Sequence, residues 1–282
     1  MAGASPTLRQ RELGMRLRKL RNTLGLTVDE VGDKLLCSPT KISRMETGAR
    51  RPNLRDVRDL CNLYGVDQAT SAELMDIARQ AREQSWWTQY EDLNLNPYIG
   101  LEQDAVTITA YMMYYVPALL QTEGYARAII KGILPKIAPE IHEQRVEARL
   151  RRQQKLEQPD VRYRALLDEA VLHRPVGGPE IMVTQLDKII EFGETDRARV
   201  QVIPFDAGAH AAQDSNFVLF EFDGSLSPIV FVESLIKHLY QERKADVDRY
   251  REAVEHLRDV ALSPKDSIRR IAEIREKYAK ER

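Results

Sequence analysis

Residues 26–48 read LTVDEVGDKLLCSPTKISRMETG and contain two helix starts in close succession. Thr27, with Glu30 three residues later, forms a capping box, in which each side chain bonds the backbone N–H of the other residue. Ser38 is an N-cap residue that precedes a proline at the first helical position, where a missing N–H has no cost. Gly32 supplies the small residue needed where two short helices cross. The stretch therefore predicts a helix-turn-helix.

The second helix of this pair begins with polar and basic side chains. Ile42 and Met45 are predicted to point inward, which turns the polar residues between them outward. In a helix-turn-helix this end of the helix enters the major groove, where basic groups reach guanine acceptors or phosphates and hydroxyls donate or accept hydrogen bonds. The predicted DNA-binding residues are Thr27, Ser38, Thr40, Lys41, Ser43, Arg44, Arg50, Arg51 and Arg16. Glu46 is instead predicted to be a structural partner of a neighbouring cation or helix N-terminus.

Three further helices complete a predicted bundle of five. The first is amphipathic, because leucines recur at helical intervals before Gly25, at Leu13, Leu17, Leu20 and Leu24. It is also basic, because arginine and lysine side chains occupy its other faces. Two others are predicted over residues 54–64 and 71–84. Residues 1–84 are thus expected to form one all-α DNA-binding domain.

This domain resembles the Xre and lambda-repressor class of helix-turn-helix regulators. The resemblance rests on a stretch S-x-x-x-I-S-x-M/I-E-x-G and the Arg51-Pro52 that follows it, matched at Ser38, Ile42, Ser43, Met45, Glu46 and Gly48. The chain departs from the class at Val28, where many members carry a DNA-contacting Gln, and at Leu36, where the turn usually has Gly. A leucine with positive φ would cost roughly 1 kcal/mol or more, so we expect a different turn here.

The charge of the chain is unevenly distributed. The formal net charge of the 282 residues is -1, which by itself argues against a nucleic-acid partner. Residues 1–64, however, hold thirteen basic and seven acidic residues, so they carry +6 and the remaining residues carry -7. This asymmetry favours a DNA-facing N-terminal part and an acidic body.

The body, residues 104–282, is predicted to be mixed α/β and to follow a linker at 85–103, which makes the whole chain α+β. Strands are expected over residues 161–173, 200–204, 216–222 and 229–232, which are rich in β-branched and aromatic residues. The last two are apolar on both faces and should be central in a sheet that helices cover. Helices are expected from Thr122, over 139–158 and 179–193, and over 235–261 and 264–282.

The body resembles the C-terminal domain of actinobacterial WhiJ-like regulators, which are antitoxin-like. The segments that carry the resemblance are Trp86-Trp87 and residues 98–102, 116–122, 145–153, 167–178, 202–205, 208–210 and 262–264. The resemblance implies a transcriptional regulator whose body binds a small acidic protein encoded by a neighbouring gene. It assigns no chemistry to the body.

Residues of the body that could carry chemistry are Asp168, Glu169, His173, His210 and Asp214. Asp168 and Glu169 are adjacent on a predicted strand, so they should point to opposite faces and form no acid–base pair. No common catalytic motif is present, and the histidines lack metal-ligand spacing. We therefore expect a protein that is not an enzyme and has no cofactor and no metal.

The regulator is expected to be a cytoplasmic homodimer that represses transcription by binding double-stranded DNA at an inverted-repeat operator. No membrane partner is expected. No apolar run is long enough to span a bilayer, and two cysteines, Cys37 and Cys61, are too few for a disulfide framework. The alternative is a small-molecule-sensing transcription factor whose C-terminal domain binds a ligand.

Overall fold

The computed structural model describes residues 8–82, 86–90, 96–195, 198–223, 226–234 and 238–281. The chain divides into two compact units, Met1–Asp104 and Ala105–Arg282. Residues 83–85, at the predicted domain boundary, and residue 235, where a helix was predicted to begin, lie outside the described residues. The predicted α+β class is confirmed, since a helical N-terminal unit precedes a unit with a mixed sheet.

Within its described residues, the first unit contains the five predicted α-helices, a sixth α-helix near its end and a 3-10 turn at Trp86–Gln89. Their bounds are α1 Leu8–Thr23, α2 Val28–Lys34, α3 Pro39–Glu46, α4 Leu54–Tyr64, α5 Gln68–Gln80 and α6 Asn96–Asp104. Helix α5 begins three residues before the predicted position, because the side chain of Asp67 caps it by accepting from the backbone N–H of Thr70. Asp67 is an N-cap that the apolar spacing could not reveal.

The core of the first unit is formed by apolar side chains from α1 to α5. Leu17 of α1, Val31 of α2, Ile42 of α3 and Val57 of α4 are each at most 1% exposed, and Ala78 of α5 is fully buried. Because short helices gain most of their stability from such packing, the position of α3 depends on its neighbours.

The second unit is built on a sheet that, within the described residues, has six strands in the order β3-β2-β1-β4-β5-β6. The strands are β1 Thr107–Met112, β2 Arg162–Asp168, β3 Ala198–Ile203, β4 Phe217–Glu221, β5 Ile229–Val232 and β6 Leu239–Gln241. Strands β1, β2 and β3 are parallel, and β4, β5 and β6 join antiparallel. The prediction that β4 and β5 are buried internal strands is confirmed.

Helices of the second unit are α7 Glu123–Ile133, α8 Pro139–Arg152, α9 Ala170–His173, α10 Pro179–Gly193, α11 Lys244–Val260 and α12 Pro264–Lys280. Short 3-10 turns lie at Ala118–Leu120, Gln153–Glu157 and Phe205–Ala207. The predictions for α7, α10 and α12 are confirmed, and the side chain of Thr122 caps α7 by accepting from the backbone N–H of Tyr125. The helix predicted over 139–158 ends at Arg152 and continues as a 3-10 turn.

Two predictions for the second unit were wrong, and two of its strands were not predicted. The strand over 161–173 ends at Asp168, because the Asp168 carboxylate accepts from the backbone N–H of Ala170 at 2.8 Å and the chain turns into α9. Strands β1 and β6 were not predicted. The helix expected over 235–261 begins only at Lys244, since β6 occupies residues 239–241 as a short strand paired with β5.

Candidate nucleic-acid interface

The starts of α2 and α3 are fixed by side-chain caps, as predicted. Glu30 N donates to Thr27 Oγ1 at 3.2 Å, and Thr27 N donates to Glu30 Oε2 at 2.7 Å, which completes the capping box. The bond from the Thr27 backbone lowers the pKa of Glu30. Ser38 accepts from Lys41 N at 3.2 Å and precedes the proline at the first turn of α3. Two short helices therefore have defined starting points on either side of the turn.

The turn between α2 and α3 contradicts the expectation for Leu36. Leu36 has φ of +52°, and among the described residues no other non-glycine residue has a positive φ. The backbone explains it: Cys37 N donates to the Gly32 carbonyl at 2.9 Å and Leu36 N to the Asp33 carbonyl at 3.3 Å. This pair of bonds is a Schellman motif, which requires the left-handed conformation at the residue that Leu36 occupies. The expectation of a different turn was therefore wrong: Leu36 adopts the strained left-handed conformation.

The crossing of α2 and α3 depends on Gly32, as predicted. A Cβ atom at this position would lie 2.8 Å from the Cys37 carbonyl oxygen and 3.3 Å from the Pro39 nitrogen. No side chain fits between these backbone atoms. The close approach of α2 and α3 therefore requires glycine at position 32.

The inner side of α3 is held by an ion pair as well as by apolar packing. Ile42 and Met45 are buried, and Glu46 is only 7% exposed. Both Glu46 oxygens accept from Arg21 of α1, at 2.6 Å from Nε and 2.8 Å from Nη2, and Arg21 Nη1 donates to the Leu26 carbonyl at 2.7 Å. Its bonds to Glu46 raise the pKa of Arg21 above its already high usual value. Glu46 is thus the structural partner of a cation, as predicted.

A second constraint on α3 was not predicted from the sequence. Gly14 of α1 lies against the end of α3 so closely that a Cβ there would be 2.5 Å from the Glu46 carbonyl oxygen and 2.7 Å from that of Met45. Helix α1 therefore touches the backbone of α3 directly. No sequence pattern around Gly14 indicates this contact, so its role follows only from the packing of residues that are distant in the sequence.

The outer side of α3 and of its C-cap residue carries Thr40, Ser43, Arg44 and Thr47, which we call the recognition face; all four are exposed. At 100° per residue they lie within about a 100° arc of the helix. Among the described residues, none bonds or pairs with the Arg44 side chain. The hydroxyl of Thr47 donates to the Ser43 carbonyl at 3.0 Å. Sequence analysis missed Thr47, although its position seven residues after Thr40 indicates the same face.

Other predicted DNA-binding residues have partners within the first unit. Lys41 Nζ lies 2.7 Å from Asp56 Oδ1 of α4 and is partly buried. Arg16 pairs with Glu73 at 2.9 Å and with Glu12 at 3.3 Å.

The remaining members of the predicted set are spread around α3. The Arg51 guanidinium donates to the Arg82 carbonyl, while Arg50 is exposed after the end of the helix. Thr27 and Ser38 act as caps. The structure thus brings Thr40, Ser43 and Arg44 together on one face and distributes the others around it.

The predicted chemistry-bearing residues of the second unit are placed differently from expectation. Glu169 does not stand on a strand beside Asp168 but precedes α9, where it is buried and accepts from Phe205 N at 3.1 Å. His210 Nε2 lies 3.9 Å from Asp168 Oδ2 and 3.5 Å from the hydroxyl of Tyr111. Within the described part of the chain, no three His, Cys, Asp or Glu residues are grouped so that they could hold a metal ion.

Comparison with known families assigns a description to each unit. Residues 12–74 match a family described as a helix-turn-helix domain, and residues 95–273 match one described as a domain of unknown function, DUF5753. No curated protein and no solved structure matches the chain. In the described residues, no helix combines the length and the apolar character needed to cross a membrane. The helix-turn-helix match supports a DNA-binding regulator.

Proposed function

The chain belongs to the DUF5753 family, and because a helix-turn-helix domain precedes that region we propose that it is a sequence-specific transcriptional repressor that binds DNA as a homodimer. Its second unit, in this proposal, performs no catalysis and binds a small acidic protein encoded nearby. The single observation that carries the DNA-binding part is the recognition face of α3.

The recognition face has the composition needed to read base edges. Arg44 can bond the O6 and N7 acceptors of guanine in a bidentate manner, and the hydroxyls of Thr40 and Ser43 can bond bases or phosphates. Arg44 is ready for such a contact because its guanidinium is exposed and engages no other described residue. Arg50, just after α3, is suited to a phosphate contact, which contributes affinity but little specificity.

Lys41 would bind DNA only in competition with Asp56. The 2.7 Å pair neutralises its charge within the unit. Such a partly buried pair holds the side chain in place, so we assign Lys41 a smaller share of sequence recognition than Arg44. The same argument applies to Arg16, which already contacts two carboxylates.

Dimerisation and an inverted-repeat operator follow from the geometry of helix-turn-helix recognition. One such helix reads only a few base pairs, so regulators of this kind commonly pair two copies across half-sites about 10 to 10.5 base pairs apart. The assignment of a small acidic partner is supported by the resemblance of the body to WhiJ-like regulators.

The DNA-binding proposal is tested with the full chain and an operator found by genome-wide mapping of bound DNA. We expect Arg44→Ala to weaken operator binding at least tenfold in fluorescence anisotropy while leaving binding to unrelated duplex almost unchanged. Arg79→Ala is the matched control, since it removes the same charge from the exposed surface of α5. If both variants weaken binding equally, or if the wild-type protein shows no salt-dependent duplex binding, the proposal is wrong.

The partner proposal has a separate test. The product of an adjacent short gene should co-purify with the full chain and form a complex of defined stoichiometry in size-exclusion chromatography with light scattering. The same experiment reports whether the chain alone is a dimer. A monomer that captures no such product would contradict both statements.

A further inference from the structure

A cavity of about 510 Å³ lies within the second unit, and its walls are largely apolar. It is bounded by α10, by the 3-10 turns at Ala118–Leu120 and Gln153–Glu157, and by the start of β2. The apolar lining consists of Leu119, Leu156, Val161, Tyr163 and Phe192. Its volume is in the range of cavities that hold small organic ligands.

Two aromatic rings form one wall of the cavity. The ring centroids of Tyr163 and Phe192 are 5.9 Å apart and the rings meet at 72°, an edge-to-face arrangement that fixes both side chains. Tyr163 is 2% exposed. The buried Tyr163 ring therefore supports Phe192, whose half-buried ring is a preformed apolar surface suited to the hydrocarbon part of a ligand.

Lys188 of α10 places an ammonium group on the same cavity. Its Nζ donates to the Gln121 carbonyl at 2.9 Å and to Gln153 Oε1 at 2.7 Å. An ammonium has three donors, so these two bonds leave one of them available. Both acceptors are neutral, so the charge itself is not compensated.

The charge of Lys188 lacks a counterion among the residues that the structure describes, since none of their carboxylates lies within 4.0 Å of Nζ. Burial alone lowers the pKa of Lys188. The other charged residue on the cavity lining is Glu157, which is exposed and already has a partner. Because a half-buried cation without a counterion is costly even when neutral oxygens bond it, an anion brought to this position would be favoured.

The ammonium is held at the cavity by a rigid framework of amide groups. Gln153 Nε2 donates to the Gln121 carbonyl at 2.7 Å and to the Ala118 carbonyl at 3.1 Å. Gln185, one turn before Lys188 on α10, is fully buried and donates to the Leu120 carbonyl at 2.8 Å. The Gln185 bond holds α10 against the turn at Ala118–Leu120, and the Gln153 bonds hold the turn at Gln153–Glu157 against the same segment. Lys188 therefore needs little reorganisation to bind a ligand.

We propose that this cavity binds an apolar carboxylate, whose anionic group bonds the Lys188 ammonium and whose hydrocarbon part packs on Phe192 and Leu156. A fatty acid and an aromatic acid share this chemistry. The binding site lies wholly in the second unit and does not depend on the DNA-binding proposal.

The proposal is tested by isothermal titration calorimetry of the full chain in the absence of DNA. The probes are octanoate and 2-naphthoate, each compared with its neutral amide of the same shape. We expect one acid to bind with one-to-one stoichiometry and at least tenfold more tightly than its amide; the acid that binds distinguishes the aliphatic from the aromatic ligand. Lys188→Met should abolish the preference for the acid, and Lys131→Met, which removes an exposed charge from α7, should retain it.

A second variant keeps the test independent of Lys188. Leu156→Trp fills the half-exposed side of the cavity without changing its charge, and it should abolish binding of acid and amide alike. Circular dichroism of each variant checks that it is folded. Equal binding of acid and amide to the wild-type chain, an unchanged preference in Lys188→Met, or no binding at about 1 mM probe would each overturn the proposal.

Discussion

Arg21 in the first unit is buried and Lys188 in the second is half-buried, and the two cations have opposite surroundings. Arg21 meets a carboxylate through two bonds, at 2.6 and 2.8 Å, whereas Lys188 meets only a carbonyl and an amide oxygen. A buried charge with a buried counterion is part of the scaffold. A charge without one is available to a ligand, so the two regions use the same kind of group for different purposes.

The largest effect is expected from breaking the Arg21 pair. Glu46→Ala leaves the guanidinium buried without a counterion, and we expect it to lower the free energy of unfolding of the first unit by about 3–5 kcal/mol. Urea unfolding followed by circular dichroism measures this loss. The control is Glu73→Ala, which removes an exposed partner of Arg16 and should cost about 1 kcal/mol or less. Similar losses in both variants would remove the distinction between a scaffold pair and a surface pair.

The second prediction compares the stability effects of replacing two helical glycines, one in each unit. Gly14→Ala puts a Cβ 2.5 Å from a backbone oxygen of α3, so α1 and α3 must separate, and we expect a loss of about 1–3 kcal/mol. Gly132 of α7 has no atom within 4 Å of the corresponding position. Gly132→Ala should therefore stabilise the second unit, by about 0.5 kcal/mol. Thermal unfolding of both variants checks the opposite signs; a harmless Gly14→Ala would show that α1 and α3 are not in close contact.

The sequence was most informative where a local rule determines the structure. Side-chain caps and the proline at the start of a helix are read within four residues, which is why α2, α3, α10 and α12 were predicted with accurate starts. The structural role of Glu46 was also predicted, because an acidic side chain is repelled by DNA and is more often a partner of a cation than a base-reading group. The identity of its partner, Arg21, twenty-five residues earlier, was not.

The failures concern contacts between distant segments. Nothing near Gly14 in the sequence indicates that α3 will lie against it, and the short strands β1 and β6 depend on pairing with β2, β4 and β5. Lys188 was not singled out because a lysine on a helix is ordinarily exposed. Its withdrawal from water follows only from the turns that fold over it.

A smaller effect, with a positive sign, is expected at the strained turn of the first unit. Leu36 has φ of +52° and is 95% exposed, so it loses almost no packing when it is replaced. Leu36→Gly should raise the free energy of unfolding by about 1 kcal/mol, because glycine adopts this conformation without strain. Leu36→Ala is the control, since it keeps Cβ and should change stability little. Equal stabilisation by both substitutions would attribute the effect to the exposed leucine surface and not to the backbone.

The smallest effect is expected at Lys188, and it completes the comparison with Arg21. Lys188→Met removes a cation that has no counterion among the described residues and keeps a side chain of similar length; the gain from removing the desolvated charge offsets the loss of two hydrogen bonds. We expect the free energy of unfolding, measured with urea, to change by less than about 1 kcal/mol.

Addition of the ligand should then distinguish the wild-type chain from the Lys188→Met variant by their stability. At about one hundred times its dissociation constant, the carboxylate should stabilise the wild-type chain by about 2.7 kcal/mol and the variant far less. If Lys188→Met instead lowers the free energy of unfolding by about 3 kcal/mol without ligand, Lys188 has a structural role like that of Arg21. Neutral oxygens alone would then hold a half-buried charge as firmly as a carboxylate does.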